Sequence, residues 1–318
     1  MVLESIAILG GLALLVWSAD KFVDGAAATA GHFRMPPLLI GMLVIGFGTS
    51  APEVSVSTFA AMQGNPGLAL GNAYGSNITN IALILGVSAL LAPITVHSRV
   101  VRREMPVLFA ATVLAWWLLN DGEFSSADAG VQLVLFSVLV GWSVWEGMRE
   151  GRDPIGTELS GELPDLPLRV SLFWLVVGVV LLVASSRVVV WGAVGLAQAF
   201  GVDDLIIGLT IVAIGTSLPE LASSVVAVRK GEHDLALGNV IGSNLFNTLL
   251  VAALAGAILP HTVDPALLER DFPVLTILTA ALFAMAYGWG RQRITRIQGG
   301  ILLLTFGCYT AWLIAEAL

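Results

Sequence analysis

Charge is scarce in this chain, and its scarcity excludes more than any residue that is present. Only 12% of the 318 residues are Asp, Glu, Lys or Arg, while 57% are hydrophobic and mean hydropathy is +0.88. A soluble domain carries roughly 25% charged residues, so a water-soluble globule is excluded. Cysteine occurs once, as Cys308. An intramolecular disulfide is impossible, and neither a thiolate metal cluster nor thiol catalysis is indicated. The formal net charge is −8, and no basic tract or aromatic–basic pattern points to a nucleic-acid partner. The residue alternation of a membrane barrel is also missing.

What the chain has instead is a series of apolar runs. A spanning helix needs about 20 such residues. Runs of that kind lie near 2–27, 36–60, 68–92, 103–120, 126–147, 170–199, 203–228, 235–259, 272–289 and 297–316. We expect an all-α membrane protein with ten transmembrane helices. The AAATA stretch at 26–30 resembles a signal-peptide cleavage site, but Glu4 and no Lys or Arg precedes the first run. A cleaved signal has a basic start, so helix 1 is expected to be retained. Lys and Arg gather in cytoplasmic loops. Lys21, Arg34, Arg99, Arg102, Arg103, Arg149, Arg152, Arg169, Arg229, Lys230, Arg291, Arg293 and Arg296 all fall after odd-numbered spans, whereas Arg270 lies on the other side and Arg187 inside span 6. Both termini are therefore expected to be extracytoplasmic.

One sequence is written twice. Residues 46–53 read GFGTSAPE and 213–220 read AIGTSLPE; GNAYGSNITN at 71–80 is echoed by GNVIGSNLFN at 238–247. The offset is 167 residues throughout, and it also aligns Gly25 with Gly192, Pro106 with Pro273 and Arg103-Glu104 with Arg270-Asp271. An odd number of spans per half reverses direction. Residues 1–147 and 169–318 are thus expected to be inverted five-helix repeats, with motifs at 46–80 and 213–247 meeting at a midplane site. The polar, Pro- and Gly-containing stretch 148–168 reads as a cytoplasmic linker, too short for a folded regulatory domain.

The repeated blocks carry the chemistry. Pro52 and Pro219 should break or kink their helices, aided by Gly46, Gly48 and Gly215. Breaking a helix at depth frees carbonyl oxygens, which is tolerated only against protein or a wet cavity. Thr49 and Glu53, Thr216 and Glu220, Ser76 and Asn80, and Ser243 and Asn247 are each four residues apart, a spacing that shares one helix face. An ionised side chain at this depth costs roughly 2.5–3.5 kcal/mol or more. Two carboxylates, two amides, hydroxyls and freed carbonyls form an all-oxygen set without His or Cys. Such a set suits hard cations: Ca²⁺ takes 6–8 oxygens in irregular geometry, Na⁺ fits too, and Mg²⁺ and soft metals fit poorly. Gly and Ser in membrane helices more often serve close packing; the duplication with an acid in each copy is what favours a site.

These blocks resemble the two alpha-repeats of the sodium/calcium exchangers, within the cation/calcium antiporter superfamily. The resemblance covers nearly the whole chain. It implies that Glu53 and Glu220 bind calcium with the carbonyls of Thr49 and Thr216. It implies that sodium shares those glutamates and adds Ser50, Ser76, Ser217 and Ser243, with backbone oxygens near Gly46 and Ala213. Asn80 and Asn247 match polar positions flanking the centre. Spans 1 and 6 resemble the pair that slides during alternating access, and Gly10, Gly11, Gly178, Gly192 and Gly195 fit a smooth contact between them. Some relatives have Asp where this chain has Asn247, and Asn cannot ionise, which argues against potassium co-transport.

The expectation is an electrogenic, potassium-independent Na⁺/Ca²⁺ antiporter of the cell membrane, with no cofactor beyond the transported ions. We expect a monomer in the lipid bilayer without an obligate protein partner. The runner-up is a proton/calcium antiporter, although the pattern after Gly71-Asn72 and Gly238-Asn239 lacks the Glu usual in that branch. A cation channel is a further alternative. An intramembrane hydrolase with Glu53 and Glu220 as acid and base lacks any zinc or Ser–His partner. His32, His97, His233 and His261 are read as solvated loop residues. Trp116, Trp117, Trp142 and Trp145 are read as interfacial anchors.

Overall fold

The computed structural model describes residues 2–33, 35, 37–97, 100–150, 166–201, 213–287 and 292–317. Its helices are α1 (Val2–Phe33), α2 (Leu38–Thr49), α3 (Ala51–Met62), α4 (Pro66–Leu91), α5 (100–119), α6 (Ser126–Glu150), α7 (Leu168–Ala199), α8 (Ala213–Thr216), α9 (Leu218–Arg229), α10 (His233–Ile258), α11 (267–287) and α12 (Arg296–Ala317). Among the described residues, six helices are long and apolar enough to cross a membrane, or seven if the bent pair α2–α3 is one span. The other expected spans fall short of that test for identifiable reasons. The regular α-helical parts of α5 and α11 have 15 and 16 residues, each preceded by a π-helical turn (Val100–Glu104 and Leu267–Asp271). The start of the seventh expected span, and most of the expected linker, lie outside the described residues.

The helices sort by burial. In α4 and α10, 72% and 78% of the apolar stretch is buried, against 11–28% in α1, α6, α7 and α12. The two motif-bearing helices are the core, and the others turn apolar side chains outward, as lipid-facing helices do. α1 and α7 lie along each other. A Cβ at Gly25 would meet the Ser171 carbonyl at 2.8 Å, and one at Gly178 the Cα of Phe22 at 2.9 Å. Gly11, Gly192 and Gly195 join this contact, but Gly10 has nothing within 4 Å and is removed from the expected glycine stripe.

Two minimal ladders tie the halves together. β1 (Ile94–Thr95) pairs with β4 (Arg293–Ile294), and β2 (Glu123–Phe124) with β3 (His261–Thr262), both antiparallel. Ile94 precedes His261 by 167 residues and Phe124 precedes Ile294 by 170. The ladders Ile94↔Ile294 and Phe124↔His261 are thus one contact made twice with the halves exchanged.

Two histidines depart from the solvated-loop expectation: His233 opens α10, and His261 lies in β3 with Nδ1 donating to the Leu259 carbonyl at 2.8 Å, both half-buried. His32 is exposed at the end of α1, with Nε2 bonding the Leu166 carbonyl at 2.6 Å, and His97 faces solvent in a loop, paired with Asp234 at 2.8 Å. Trp116 stacks on Phe272, with ring centroids 6.2 Å apart.

The Lys230 ammonium bridges Asp20 at 2.6 Å and Asp24 at 2.7 Å, fastening the end of α9 to α1. Burial, with Asp234 and Asp24 nearby, raises the Glu232 carboxyl above its ordinary pKa. The repeat places Gln63 opposite Lys230 and Arg187 opposite Asp20, so only one face of the fold carries this fastening. Such partly exposed pairs contribute about 0.2–1 kcal/mol each and are screened by salt. Lys230→Gln should lower thermal stability slightly at low salt and not at high salt; a salt-independent loss would mean the pairs are not its cause.

Candidate cation site

Each GTSxPE motif breaks its helix at the serine. Ser50 (φ −80°, ψ 5°) and Ser217 (φ −91°, ψ 9°) leave helical geometry, and Pro52 and Pro219 fall in the first turn of α3 and α9. A first-turn proline is tolerated there because its missing N–H would be unpaired anyway. The prolines therefore begin the second helix rather than kink a continuous one. The α2–α3 axis bends by 46°. In α4 and α10 the disturbance is a π-helical turn that starts at each motif asparagine, Asn80–Ile84 and Asn247–Val251, with Leu85 N–H donating to the Asn80 carbonyl and Ala252 N–H to that of Asn247. Single π turns recur at functional sites.

The breaks bring the motif side chains into the core. Thr49, Ser50, Glu53, Ser76, Asn80, Ser217, Glu220, Ser243 and Asn247 are all buried. Ser50 Oγ donates to Glu220 Oε1 at 3.2 Å, from one half to the other. Ser243 Oγ donates to the Gly46 carbonyl at 3.3 Å, again across halves. Ser76 and Ser217 lie alongside the Glu53 carboxyl. Asn80 Nδ2 donates to Asn244 Oδ1 at 3.0 Å. Asn247 makes no such bond. Thr216 and Ala213 stand in the one-turn helix α8, just before the Ser217 break.

Several polar residues of the core were not singled out in the sequence. Asn239 Nδ2 donates to the Glu220 carbonyl (3.1 Å), Ser223 Oγ (3.0 Å) and Ser224 Oγ (2.8 Å), and its Oδ1 accepts from Thr49 Oγ1 (3.1 Å). Its repeat partner Asn72 donates to the Glu53 carbonyl at 3.3 Å and Ser57 Oγ at 2.9 Å. Asn77 Nδ2 donates to Thr248 Oγ1 at 2.8 Å. Asn72, Asn77, Asn239 and Asn244 lie inside the duplicated GN–GSN blocks. The repetition itself was the signal that could have found them.

The unmade bonds define what the site can do. Both Glu53 carboxylate oxygens, Glu220 Oε2, Ser217 Oγ and the Oδ1 atoms of Asn77, Asn80 and Asn247 are buried without a hydrogen-bond partner, as are Nδ2 of Asn244 and Asn247. A buried polar group left unpaired costs about 1–3 kcal/mol, more when charged. Seven such oxygens, all in the two repeated blocks, form a donor set for hard cations. No group of three His, Cys, Asp or Glu converges among the described residues, so a softer, multi-ligand metal centre is not built there.

The comparisons place the chain in a family. The family model described as sodium/calcium exchanger protein matches residues 4–145 and 170–315, which are the two repeats. CaxA of Alkalimonas amylolytica is 47% identical, covering 96% of this chain and 97% of its own. The sodium/calcium exchanger MaX1 of Methanosarcina acetivorans is 30% identical, covering 96% of each chain. A solved structure of the sodium-calcium exchanger NCX_Mj superposes with a TM-score of 0.85 at 32% identity, covering 98% of this chain and 99% of that one. With both repeats matched and nearly the whole chain aligned, this multi-pass membrane protein belongs to the sodium/calcium exchanger protein family.

Proposed function

We propose that the protein is a cell-membrane antiporter that exchanges Na⁺ for Ca²⁺ by alternating access. The observation that carries this is the pair of buried glutamates, Glu53 and Glu220, at equivalent repeat positions, with three of their four carboxylate oxygens unpartnered. In this reading Ca²⁺ sits between the two carboxylates with the carbonyls of Thr49 and Thr216. Na⁺ uses the same acids with Ser50, Ser76, Ser217 and Ser243 and backbone oxygens near Gly46 and Ala213, and Asn80 and Asn247 flank the centre. The Ser50 hydroxyl donates to Glu220 here; rotating that proton away presents an oxygen to a cation.

Two carboxylates neutralise one Ca²⁺. Replacement by three Na⁺ would move one net charge per cycle, worth about 2.3 kcal/mol per 100 mV. Asn247 cannot add a third acid, which favours potassium independence. The tight α1–α7 pair, fastened to the bundle at one face by Lys230, is the candidate moving unit.

The full reading has ten crossings with inverted halves and extracytoplasmic termini. Contacts between loops support that parity: β1 and β4 join the loops after spans 3 and 9, β2 and β3 those after spans 4 and 8, and Arg270 reaches Glu316 after spans 8 and 10. Each of these three contacts joins ends assigned to the same membrane face. We also take the protein to act as a monomer.

The test is ⁴⁵Ca²⁺ uptake into proteoliposomes loaded with Na⁺ or with K⁺, at fixed pH with a protonophore present. Uptake that needs internal Na⁺ is expected. Equal uptake from both would remove sodium coupling, and an imposed pH gradient would then separate a proton/calcium antiporter from a channel.

A further inference from the structure

We propose that Asn239 is a positioning residue that couples the two halves of the cation site, by setting where the Thr49 hydroxyl spends its proton. The inference rests on the reading of Glu53 and Glu220 as the shared cation ligands. Asn239 is buried in α10 and touches two other segments of the site: the Thr49 end of α2, and α9 through the Glu220 carbonyl, Ser223 and Ser224.

The orientation of its amide follows from the partners. A backbone carbonyl can only accept a hydrogen bond. Nδ2 must therefore face the Glu220 carbonyl, because the flipped amide would set two carbonyl oxygens against each other. Oδ1 then faces Thr49 Oγ1 and needs a donor. The Thr49 hydroxyl has one proton and three acceptors in reach: Asn239 Oδ1 at 3.1 Å, the Ile45 carbonyl at 3.0 Å and the Gly46 carbonyl at 3.4 Å. Donation to Asn239 ties α2 of the first half to the Glu220 backbone of the second and leaves the Ile45 and Gly46 carbonyls less occupied. Donation to Ile45 releases that tie. Asn72 holds the Glu53 backbone in the same manner, but its bonds stay within its own half and it is only half buried. The duplicated asparagines thus have unequal tasks: Asn72 holds one glutamate, and Asn239 holds the other and connects it to the opposite helix break.

Because Ca²⁺ must engage both glutamates at once, loss of the connection should weaken Ca²⁺ more than Na⁺. Asn239→Ala should raise the half-saturating Ca²⁺ of exchange about tenfold, the loss of roughly one net buried hydrogen bond, while half-saturating Na⁺ moves less. Thr49→Val keeps the Thr49 carbonyl and removes only the hydroxyl. It should give a similar shift, and the double variant should add little to either single one. Melting temperature is measured for each variant. Asn72→Ala serves as the within-half comparison and should leave the ratio of Ca²⁺ to Na⁺ half-saturation near wild type. Additive effects of Thr49→Val and Asn239→Ala, or equal shifts for both ions, would overturn the coupling role. If Asn239→Ala fails to fold, the Thr49→Val ratio alone decides: unchanged selectivity overturns the proposal. Absence of Na⁺-dependent Ca²⁺ uptake in the wild type would instead strike the functional reading on which it rests.

Discussion

Glu53→Gln and Glu220→Gln should each reduce Na⁺-dependent Ca²⁺ uptake by about 100-fold or more. Glutamine keeps the size of the side chain and removes its charge, so folding should survive. The remaining carboxylate would then face a divalent cation alone, in a buried setting where losing one partner of a charge pair costs about 3–5 kcal/mol. Each 1.4 kcal/mol is tenfold in affinity. The two sites are not equal. Both oxygens of Glu53 are unpartnered, whereas Glu220 Oε1 already accepts from Ser50. A glutamine at 220 can still accept that bond, so its local structure should be retained while its charge is lost. Uptake in proteoliposomes, normalised to protein incorporated, is the measurement. Glu232→Gln, in the turn between α9 and α10, is the control and should transport normally. Robust transport by either motif variant would mean that the cation does not need both acids, and the central-site reading would fall.

Much of this arrangement was legible before any coordinates. The 167-residue repeat put Glu53 with Glu220 and Asn80 with Asn247, and the structure buries all four. The all-helical membrane class followed from composition together with the long apolar runs and the missing barrel alternation. What the sequence could not assign was the division of labour inside a motif. In GSN at 242–244, Ser243 bonds the Gly46 carbonyl and Asn244 accepts from Asn80, while Gly242 serves the helix contact. Packing and site chemistry occupy adjacent residues, so neither reading of the motif excluded the other. Asn72 and Asn239 were passed over because an amide at one position in a helix says nothing about which carbonyl lies opposite. The kink was expected at Pro52 and Pro219, but the break falls at Ser50 and Ser217, since a proline is accommodated by starting a helix more readily than by bending one. Gly10 was read with the α1–α7 contact because composition does not fix a helix's rotation, and the structure turns it away from α7.

Among the described glycines, Gly242→Ala should be the most damaging added methyl. A Cβ there would stand 2.4 Å from the Met42 carbonyl oxygen and 2.6 Å from the Met42 Cα, and one at Gly238 would stand 2.5 Å from the Leu38 carbonyl oxygen. These are backbone atoms and cannot rotate aside. Gly238 and Gly242, one helical turn apart, let α10 lie against α2, where close approach of small residues substitutes for hydrophobic driving force in lipid. To admit the methyl, the two helices must separate, and α10 carries Asn239 and Ser243 while α2 carries Gly46 and Thr49. The cross-half bonds Ser243–Gly46 and Asn239–Thr49 span that contact. Overpacking costs about 1–3 kcal/mol, enough to lower the melting temperature measurably, and the displaced donors should raise half-saturating Ca²⁺ as well. Gly10→Ala, whose Cβ has nothing within 4 Å, should leave both unchanged. A Gly242→Ala protein with wild-type melting and wild-type Ca²⁺ dependence would show that α2 and α10 are not held at this distance during transport, and that the pairing of the two halves depends on the ion ligands rather than on the glycine contact.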